Sequence, residues 1–212
     1  MWSEDLFQVN SDENRGMTSE KKDDRWRFPG SRWWKFDFHT HTPASLDTHA
    51  WHQAVGKRSE ITPEKWLLKF MAAEIDRVAV TDHNSGDWID ELKVAYKRTQ
   101  EKANAGSPPD GSRSLTLFPG VEISVNGGFH LLAIFDPEAT EDHISNLLAV
   151  VEYQGTKGGS DGVTKKSAVE VVQALLERGA IPIPAHCDQV FDPSFEIGDT
   201  DMQWLHLLEG SS

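Results

Sequence analysis

The chain of 212 residues carries 21 basic and 34 acidic side chains, a formal net charge of −13 at neutral pH. This length suits one domain with a sizeable core, and the acidity disfavours a surface that holds nucleic acid by bulk electrostatic attraction. Cys187 is the only cysteine, which excludes an intrachain disulfide framework and a thiolate zinc cluster and predicts a reducing, cytoplasmic location. The polar N-terminus and the lack of a long apolar run predict neither a secretory signal nor contact with a membrane.

The chain is predicted to have two regions. Residues 1–24 mix acidic and basic side chains without hydrophobic periodicity, which predicts a flexible acidic leader. A group of aromatic residues that begins at Trp26 marks the entry into packed structure. Residues 25–212 are therefore predicted to form one domain.

Strand-like and helical segments then alternate along the chain. Thr62 followed by Pro63 is typical of a helix start, because threonine caps the helix and proline fits its first turn. The predicted elements are a strand over 35–40, a loop over 43–61, a helix from Thr62, a strand over 77–81, a helix over 88–102, strand-like runs over 115–125 and 129–135, a helix over 138–152, a loop over 155–162, a helix over 167–178 and a strand over 180–185. The runs on either side of the Asn-Gly-Gly turn predict a hairpin or two adjacent strands. The alternation predicts parallel pairing and an α/β fold, and five clear strands are too few to close a barrel.

Five short clusters of metal-ligand side chains each lie at the edge of one of the strand-like runs. They are Phe36-Asp-Phe-His39-Thr-His41, Val78-Ala-Val-Thr-Asp82-His83, Pro119-Gly-Val-Glu122-Ile-Ser, His130-Leu-Leu-Ala-Ile-Phe135 and Ile181-Pro-Ile-Pro-Ala-His186. Strands that end in imidazoles and carboxylates can bring these groups together at one rim of a sheet. The pattern predicts a site that holds more than one metal ion.

The first two clusters supply three imidazoles and a carboxylate. His39 and His41 are two residues apart on a strand, so their side chains point to one face and can reach one ion; the alternative is two surface histidines. His83 is a candidate ligand at the end of the next strand. Asp82 beside it is either a partner that fixes the tautomer of an imidazole or a helix-capping carboxylate.

The other three clusters complete the predicted donor set. Glu122 is a candidate for a carboxylate that bridges two ions, and the alternative is a structural salt bridge. His130 opens a strand and His186 closes one; each alone is compatible with a buried core histidine. Together these groups favour Zn²⁺, Mn²⁺ or Fe²⁺ over Mg²⁺, because imidazole prefers transition metals.

The ordered series HTH, TDH, GVEIS, HLLAIF and AHCD resembles the PHP (polymerase and histidinol phosphatase) domain family over about residues 34–188. The surrounding sequence is most similar to the N-terminal PHP domains of TrlF-like ATPases of the AAA or SMC type. The resemblance implies a distorted (β/α)7 TIM-like barrel. It also implies up to three metals at the C-terminal ends of the strands and hydrolysis of phosphoesters.

The resemblance also implies a role for each matching residue. His39 and His41 match ligands of the first metal, and Glu122 matches the carboxylate that bridges the first and second metals. His130 and His186 match the remaining ligands of the second metal.

A third metal would be held by Asp47 and His83, although Asp47 lies one residue further from the HTH motif than in the commonest spacing of the family. Glu122 and Asp82 are the predicted catalytic residues. The family's last motif, Gly-Ser-Asp-x-His, has no counterpart in residues 187–212. We therefore expect a barrel that is incomplete at its C-terminal end, as the front of a longer protein, a truncated gene product or a subunit completed by another chain.

The leading hypothesis is a phosphoesterase that uses two to three divalent metals, zinc, manganese or iron, and metal-activated water. Its substrate would be a phosphate ester of a nucleotide, a nucleic-acid end or a small metabolite, and Lys57 and Arg58 are either a substrate clamp or solvated loop charges. One alternative is a catalytically incomplete module that serves as a docking domain for an ATPase partner. Another is metal-dependent hydrolysis of an amide.

Overall fold

The computed structural model describes residues 33–46 and 60–186. The predicted leader, the candidate ligand Asp47, the candidate clamp of Lys57 and Arg58, and the chain after His186 lie outside the described residues. Within the described ranges the elements are β1 (Phe36–Thr40), α1 (Pro63–Ala72), β2 (Arg77–Val80), α2 (Ile89–Asn104), β3 (Thr116–Val125), β4 (Phe129–Ile134), α3 (Glu141–Val150), β5 (Tyr153–Gln154), β6 (Val163–Thr164), α4 (Ala168–Glu177) and β7 (Ile181–Pro184).

Five of these strands form one sheet in the order β1-β2-β3-β4-β7, and β5 pairs with β6 in a separate ribbon. Strands β1, β2 and β3 are parallel and are joined through α1 and α2. Strand β4 is antiparallel to both of its neighbours, β3 and β7. The predicted α/β class is confirmed, whereas seven β/α units are not seen among the described residues.

The predicted parallel pairing holds for β1, β2 and β3 but does not extend to β4. Residues 126–128 turn directly from β3 into β4, with positive φ angles at Gly127 and Gly128. A turn this short can join only antiparallel strands, since a parallel pair needs a crossover of a dozen or more residues. The hairpin predicted from the same Asn-Gly-Gly turn is confirmed, and it interrupts the β/α alternation.

The sheet is strongly curled. The imidazole rings of His39 on β1 and His186 just after β7 lie 4.8 Å apart, although β1 and β7 are opposite edges of the sheet. In a flat sheet four steps between neighbouring strands would separate these edges by about 19 Å. The sheet therefore forms a half-barrel, compatible with an incomplete TIM-like barrel, and its curl brings both edges to one site.

The predicted helices all form, with ends that differ by a few residues from the expected ones. Helix α1 begins as predicted, with Pro63 in its first turn and the Thr62 hydroxyl accepting a hydrogen bond from the Lys65 amide at 3.3 Å. The β5–β6 ribbon was not predicted, because two-residue strands are too short to carry a hydrophobic period. None of the helices in residues 33–46 and 60–186 combines the length and apolar character that crossing a bilayer requires.

The helices cover the sheet with apolar side chains, and α3 offers a test of this packing. Leu147 is fully buried in the core, whereas Val150 on the same helix is 37% exposed. Leu147→Ala should lower the free energy of unfolding by about 2–5 kcal/mol, because it removes buried methyl groups and leaves a cavity. Val150→Ala should change it by no more than about 0.5 kcal/mol. Urea unfolding of both variants measures the difference, and equal effects would contradict this description of the core.

Candidate metal centre

A buried carboxylate, that of Glu122 in β3, is the centre of the candidate site. Its side chain has no exposed surface. Five imidazoles contact its two oxygens. The distances are 2.8 Å from His39 Nε2 to Oε2, 3.5 Å from His41 Nε2 to Oε2, 3.4 Å from His83 Nδ1 to Oε2, 2.8 Å from His130 Nδ1 to Oε1, and 3.2 Å from His186 Nε2 to Oε1. The two oxygens thus divide the histidines into two groups.

Sheet geometry places the first three of these histidines. His39 lies on β1 and His41 directly follows that strand, so the i, i+2 spacing gives both rings access to one oxygen. His83 follows β2 and forms a parallel bridge with Glu122. The Asn84 amide then donates a hydrogen bond to the Glu122 carbonyl at 2.9 Å. The turn after β2 is therefore held against β3 at the carboxylate itself.

The antiparallel direction of β4 explains why His130 lies at the start of its strand rather than at the end. In the β3–β4 register His130 pairs with Ser124, two residues from Glu122, so both side chains lie on one face of the sheet. His186 follows β7 and has a φ of 57°. A non-glycine residue seldom adopts this left-handed conformation. His186 adopts this conformation, and its ring contacts Glu122 Oε1.

The imidazoles form a closed ring around the carboxylate. Centroid distances around the ring are 5.2 Å from His39 to His41, 4.7 Å from His41 to His83, 5.3 Å from His83 to His130, 6.1 Å from His130 to His186, and 4.8 Å from His186 back to His39. Like charges this close oppose one another, so the rings cannot all be protonated together.

The electrostatics of the centre follow from this arrangement. Burial by itself would raise the pKa of Glu122, but hydrogen bonds from His130 and His39 and the charge of His83 outweigh it, and the pKa is held well below its usual range. The hydrogen bond to Glu122 in turn raises the pKa of His39, against the opposing effect of burial. Glu122 therefore stays ionised throughout the physiological range.

The donor set fits divalent transition metals. His39, His41 and Glu122 form one group whose ligand atoms all lie within 4.8 Å of one another, and His83, Glu122 and His130 form a second. Two ligands of one tetrahedral zinc ion are about 3.4 Å apart. His41 and His83 lie at 3.5 and 3.4 Å from Glu122 Oε2, which matches that separation. Both groups share Glu122, as a bridging carboxylate requires.

Asp82 lies behind the ring and is completely buried. Its carboxylate accepts hydrogen bonds from the Thr42 amide and hydroxyl, both at 2.6 Å, and from the Ser45 hydroxyl at 2.7 Å. Burial raises the pKa of Asp82 to about 6, and these hydrogen bonds oppose the rise. Asp82 is connected to an imidazole through Ser45, which also contacts His41 Nδ1 at 3.0 Å, and its two predicted roles stay predictions.

The structure brings six predicted ligands together: His39, His41, His83, Glu122, His130 and His186. His83 lies in the ring beside Glu122, whereas its predicted partner Asp47 lies outside the described residues.

Sequence reasoning missed three buried polar residues near the centre: Thr42, Ser45 and Asn84. The Asn84 side chain donates to Ser124 Oγ and to the Gly159 carbonyl, both at 2.9 Å, and accepts from the Ser124 amide. Asn84 also has a positive φ of 45°, a conformation in which asparagine is enriched. Hydroxyl and amide side chains in the turns after candidate ligands were the available signal, but they carry no periodicity.

Comparisons with known proteins place the chain near two solved structures at low identity. No protein-family model and no curated protein matches the sequence. A candidate metal-dependent phosphoesterase from Bifidobacterium adolescentis is similar with a TM-score of 0.49 and 18% identity, over 84% of this chain and 75% of that one. An amidohydrolase from Chromobacterium violaceum with bound sulfate and no metal has a TM-score of 0.45 and 14% identity, over 82% and 72% of the two chains. Both TM-scores lie below 0.5, so neither similarity decides the chemistry of this chain.

The effect of Glu122 on His39 can be measured in the metal-free protein. In Glu122→Gln the pKa of His39 should fall, because the neutral amide no longer stabilises the imidazolium. NMR titration of the imidazole nitrogens measures the shift. His143, whose Nδ1 contacts Thr140 at 3.0–3.1 Å rather than Glu122, is an internal control whose signals should agree between the two proteins. An unchanged or higher His39 midpoint in the variant would contradict the assigned interaction.

Proposed function

We propose that this protein is a metal-dependent phosphoesterase. The observation that carries the proposal is the single buried carboxylate of Glu122 enclosed by five imidazoles, with the two carboxylate oxygens facing different histidines. A carboxylate shared by two groups of nitrogen ligands suits a pair of cations spaced for phosphoryl chemistry. The resemblance of the HTH, TDH and GVEIS motifs to PHP domains supports the same reaction.

In this proposal Glu122 would be a ligand of two cations. His39 and His41 would hold the first cation with it, and His130 and His186 would hold the second. His83 would add a further nitrogen ligand. When bound, such cations supply Lewis acidity, which lowers the pKa of water and neutralises charge on phosphoryl oxygens.

The exposure of the histidines gives the direction from which a substrate would approach. The side chains of His39, His130 and His186 are 28, 28 and 45% exposed, whereas those of His41 and His83 are 18 and 10% exposed. The more exposed rings form the open side of the centre. A phosphate group would therefore enter past His186 and His39, and His41, whose ring lies 5.2 Å from that of His39, is next to this path.

A cavity beside the centre supports a substrate that is larger than phosphate itself. It has a volume of about 540 Å³ and adjoins His41, within the range usual for small-molecule sites. Aliphatic and aromatic side chains line part of it, and two lysines and two acidic residues lie among them: Glu60, Ile61, Lys65, Trp66, Leu68, Lys69, Phe70 and Asp110. We propose that the organic part of a phosphate ester, such as a nucleotide, a nucleic-acid end or a small metabolite, binds there.

Zinc, manganese and iron remain the proposed metals, with two to three ions, because the donor set is rich in imidazole. An ATPase module of the TrlF-like kind, or another chain that completes the barrel, remains a proposed partner. A docking module without catalysis is the competing proposal, and metal content together with turnover separates the two.

Metal analysis gives the first test. The purified protein should bind at least two equivalents of Zn²⁺ or Mn²⁺ per chain, measured by elemental analysis after equilibrium dialysis. Glu122→Ala should release more than one equivalent, because one carboxylate serves both groups. His143→Ala, which removes a histidine outside the ring, should retain full occupancy. Full occupancy in Glu122→Ala would remove the bridging role.

Turnover gives the second test. The metal-loaded protein should hydrolyse a chromogenic phosphodiester, and His83→Ala should lower kcat/KM by about 100-fold or more, since loss of cation-based stabilisation is worth several kcal/mol. His143→Ala should keep the wild-type value. Less than one metal equivalent with no turnover would favour the docking module, and cleavage of amides but not of phosphoesters would favour an amidohydrolase.

A further inference from the structure

We propose that Ser45 is a positioning residue that holds the proton of His41 on Nδ1, so that Nε2 presents its lone pair to the metal centre. This inference rests on the proposed metal centre and not on the identity of the substrate. Ser45 lies four residues after His41 and is completely buried.

The Ser45 hydroxyl makes three polar contacts. Its Oγ lies 3.0 Å from His41 Nδ1, 2.7 Å from Asp82 Oδ1, and 3.0 Å from the backbone nitrogen of His83. A hydroxyl has one proton to donate and two lone pairs that accept. Each of these three partners either donates to Ser45 Oγ or accepts from it, and the role of each can be assigned in turn.

The hydrogen-bonding roles of two partners, the His83 amide and the Asp82 carboxylate, follow from their chemistry. The His83 amide can only donate, so it takes one lone pair of Ser45 Oγ. The Asp82 carboxylate accepts, and it also receives the Thr42 amide and hydroxyl. The Thr42 hydroxyl itself accepts from the Ala44 amide at 3.1 Å, which leaves its proton for Asp82. Asp82 thus accepts all three hydrogen bonds, and the proton of Ser45 points to it.

The contact with His41 is then determined. Because the single proton of the Ser45 hydroxyl points to Asp82, Ser45 Oγ can only accept from His41, so His41 Nδ1 must carry a proton for a hydrogen bond to form. In the neutral imidazole Nε2 is then unprotonated and faces Glu122 Oε2 at 3.5 Å. A cation bound between Nε2 and Oε2 would stabilise this arrangement further. The orientation that Ser45 imposes therefore prepares His41 to act as a ligand.

The same hydroxyl joins two ligand-bearing turns. His41 and Ser45 belong to the turn after β1, and His83 to the turn after β2. Because Asp82 also accepts from Thr42, one buried carboxylate anchors the first turn at two points. Loss of the Ser45 hydroxyl would thus free the His41 ring to change its tautomer and would loosen the turn that carries it.

The tautomer can be read directly from ¹⁵N-labelled metal-free protein. Long-range ¹H–¹⁵N correlation at neutral pH should show His41 protonated at Nδ1. Ser45→Ala should lose that preference and should weaken Zn²⁺ binding, measured by titration against a competing chelator, by about 10–100-fold, as is usual when the partner of a ligating histidine is removed.

Thr42→Val is the matched control. It also removes one hydrogen bond to Asp82 from a fully buried side chain, but it leaves the contact between Ser45 and His41 in place. It should keep the Nδ1–H tautomer of His41 and should change Zn²⁺ affinity by less than Ser45→Ala does. A purely structural role of the cluster would instead give both variants the same loss.

Either of two results would overturn the proposal: wild-type His41 protonated at Nε2, or Ser45→Ala with an unchanged tautomer and unchanged Zn²⁺ affinity. If Ser45→Ala does not fold, the wild-type tautomer alone decides. A protein with the expected tautomer and zinc affinity but without phosphoester turnover would end the proposed function and leave the role of Ser45 intact.

Discussion

The contact between one buried carboxylate and five imidazoles constrains the whole described structure. A carboxylate without solvent exposure is costly unless it is paired and hydrogen-bonded, and Glu122 obtains its partners from the ends of four other strands. This is possible only because the sheet curls until β1 and β7 meet. The curl, the reversed direction of β4 and the left-handed residue at the end of β7 all serve to bring imidazoles to the same two oxygens.

The ring also explains why this centre suits cations rather than protons. Five neutral imidazoles at centroid distances of 4.7–6.1 Å each offer a nitrogen lone pair, and an ionised carboxylate has no proton to donate to any of them. A salt bridge, the alternative considered for Glu122, needs one cationic partner and not five. Because imidazole prefers transition metals, the packing of five histidines around one carboxylate favours metal binding.

Much of the fold could be predicted from local signals. The helices follow hydrophobic period and caps, such as Thr62 and Pro63, and the β3–β4 hairpin follows its Asn-Gly-Gly turn. The reversed pairing of β4 with β7 could not be predicted, because it depends on which strand closes against the hairpin. The ribbon of Tyr153–Gln154 and Val163–Thr164 is too short to leave a pattern.

Only part of the candidate site could be predicted from the sequence. The histidines and Glu122 could be found because imidazoles and carboxylates are common metal ligands, and the ends of strands are common positions for such ligands. Ser45 could not be found, because its contacts with His41 and His83 arise from how two turns pack against each other. Hydroxyl side chains are common in turns for local reasons, so their identity alone does not distinguish a cap from a partner of a ligand.

The unequal burial of the histidines has a kinetic consequence for any ion that binds. Near Oε2 the rings of His41 and His83 are deeply enclosed, whereas near Oε1 the ring of His186 is almost half open to solvent. His39, also beside Oε2, is 28% exposed, so an ion near Oε2 would be reached only past His39, whereas a chelator would reach an ion near Oε1 directly past His186. The two halves of one carboxylate would thus hold a slowly exchanging ion and a labile one.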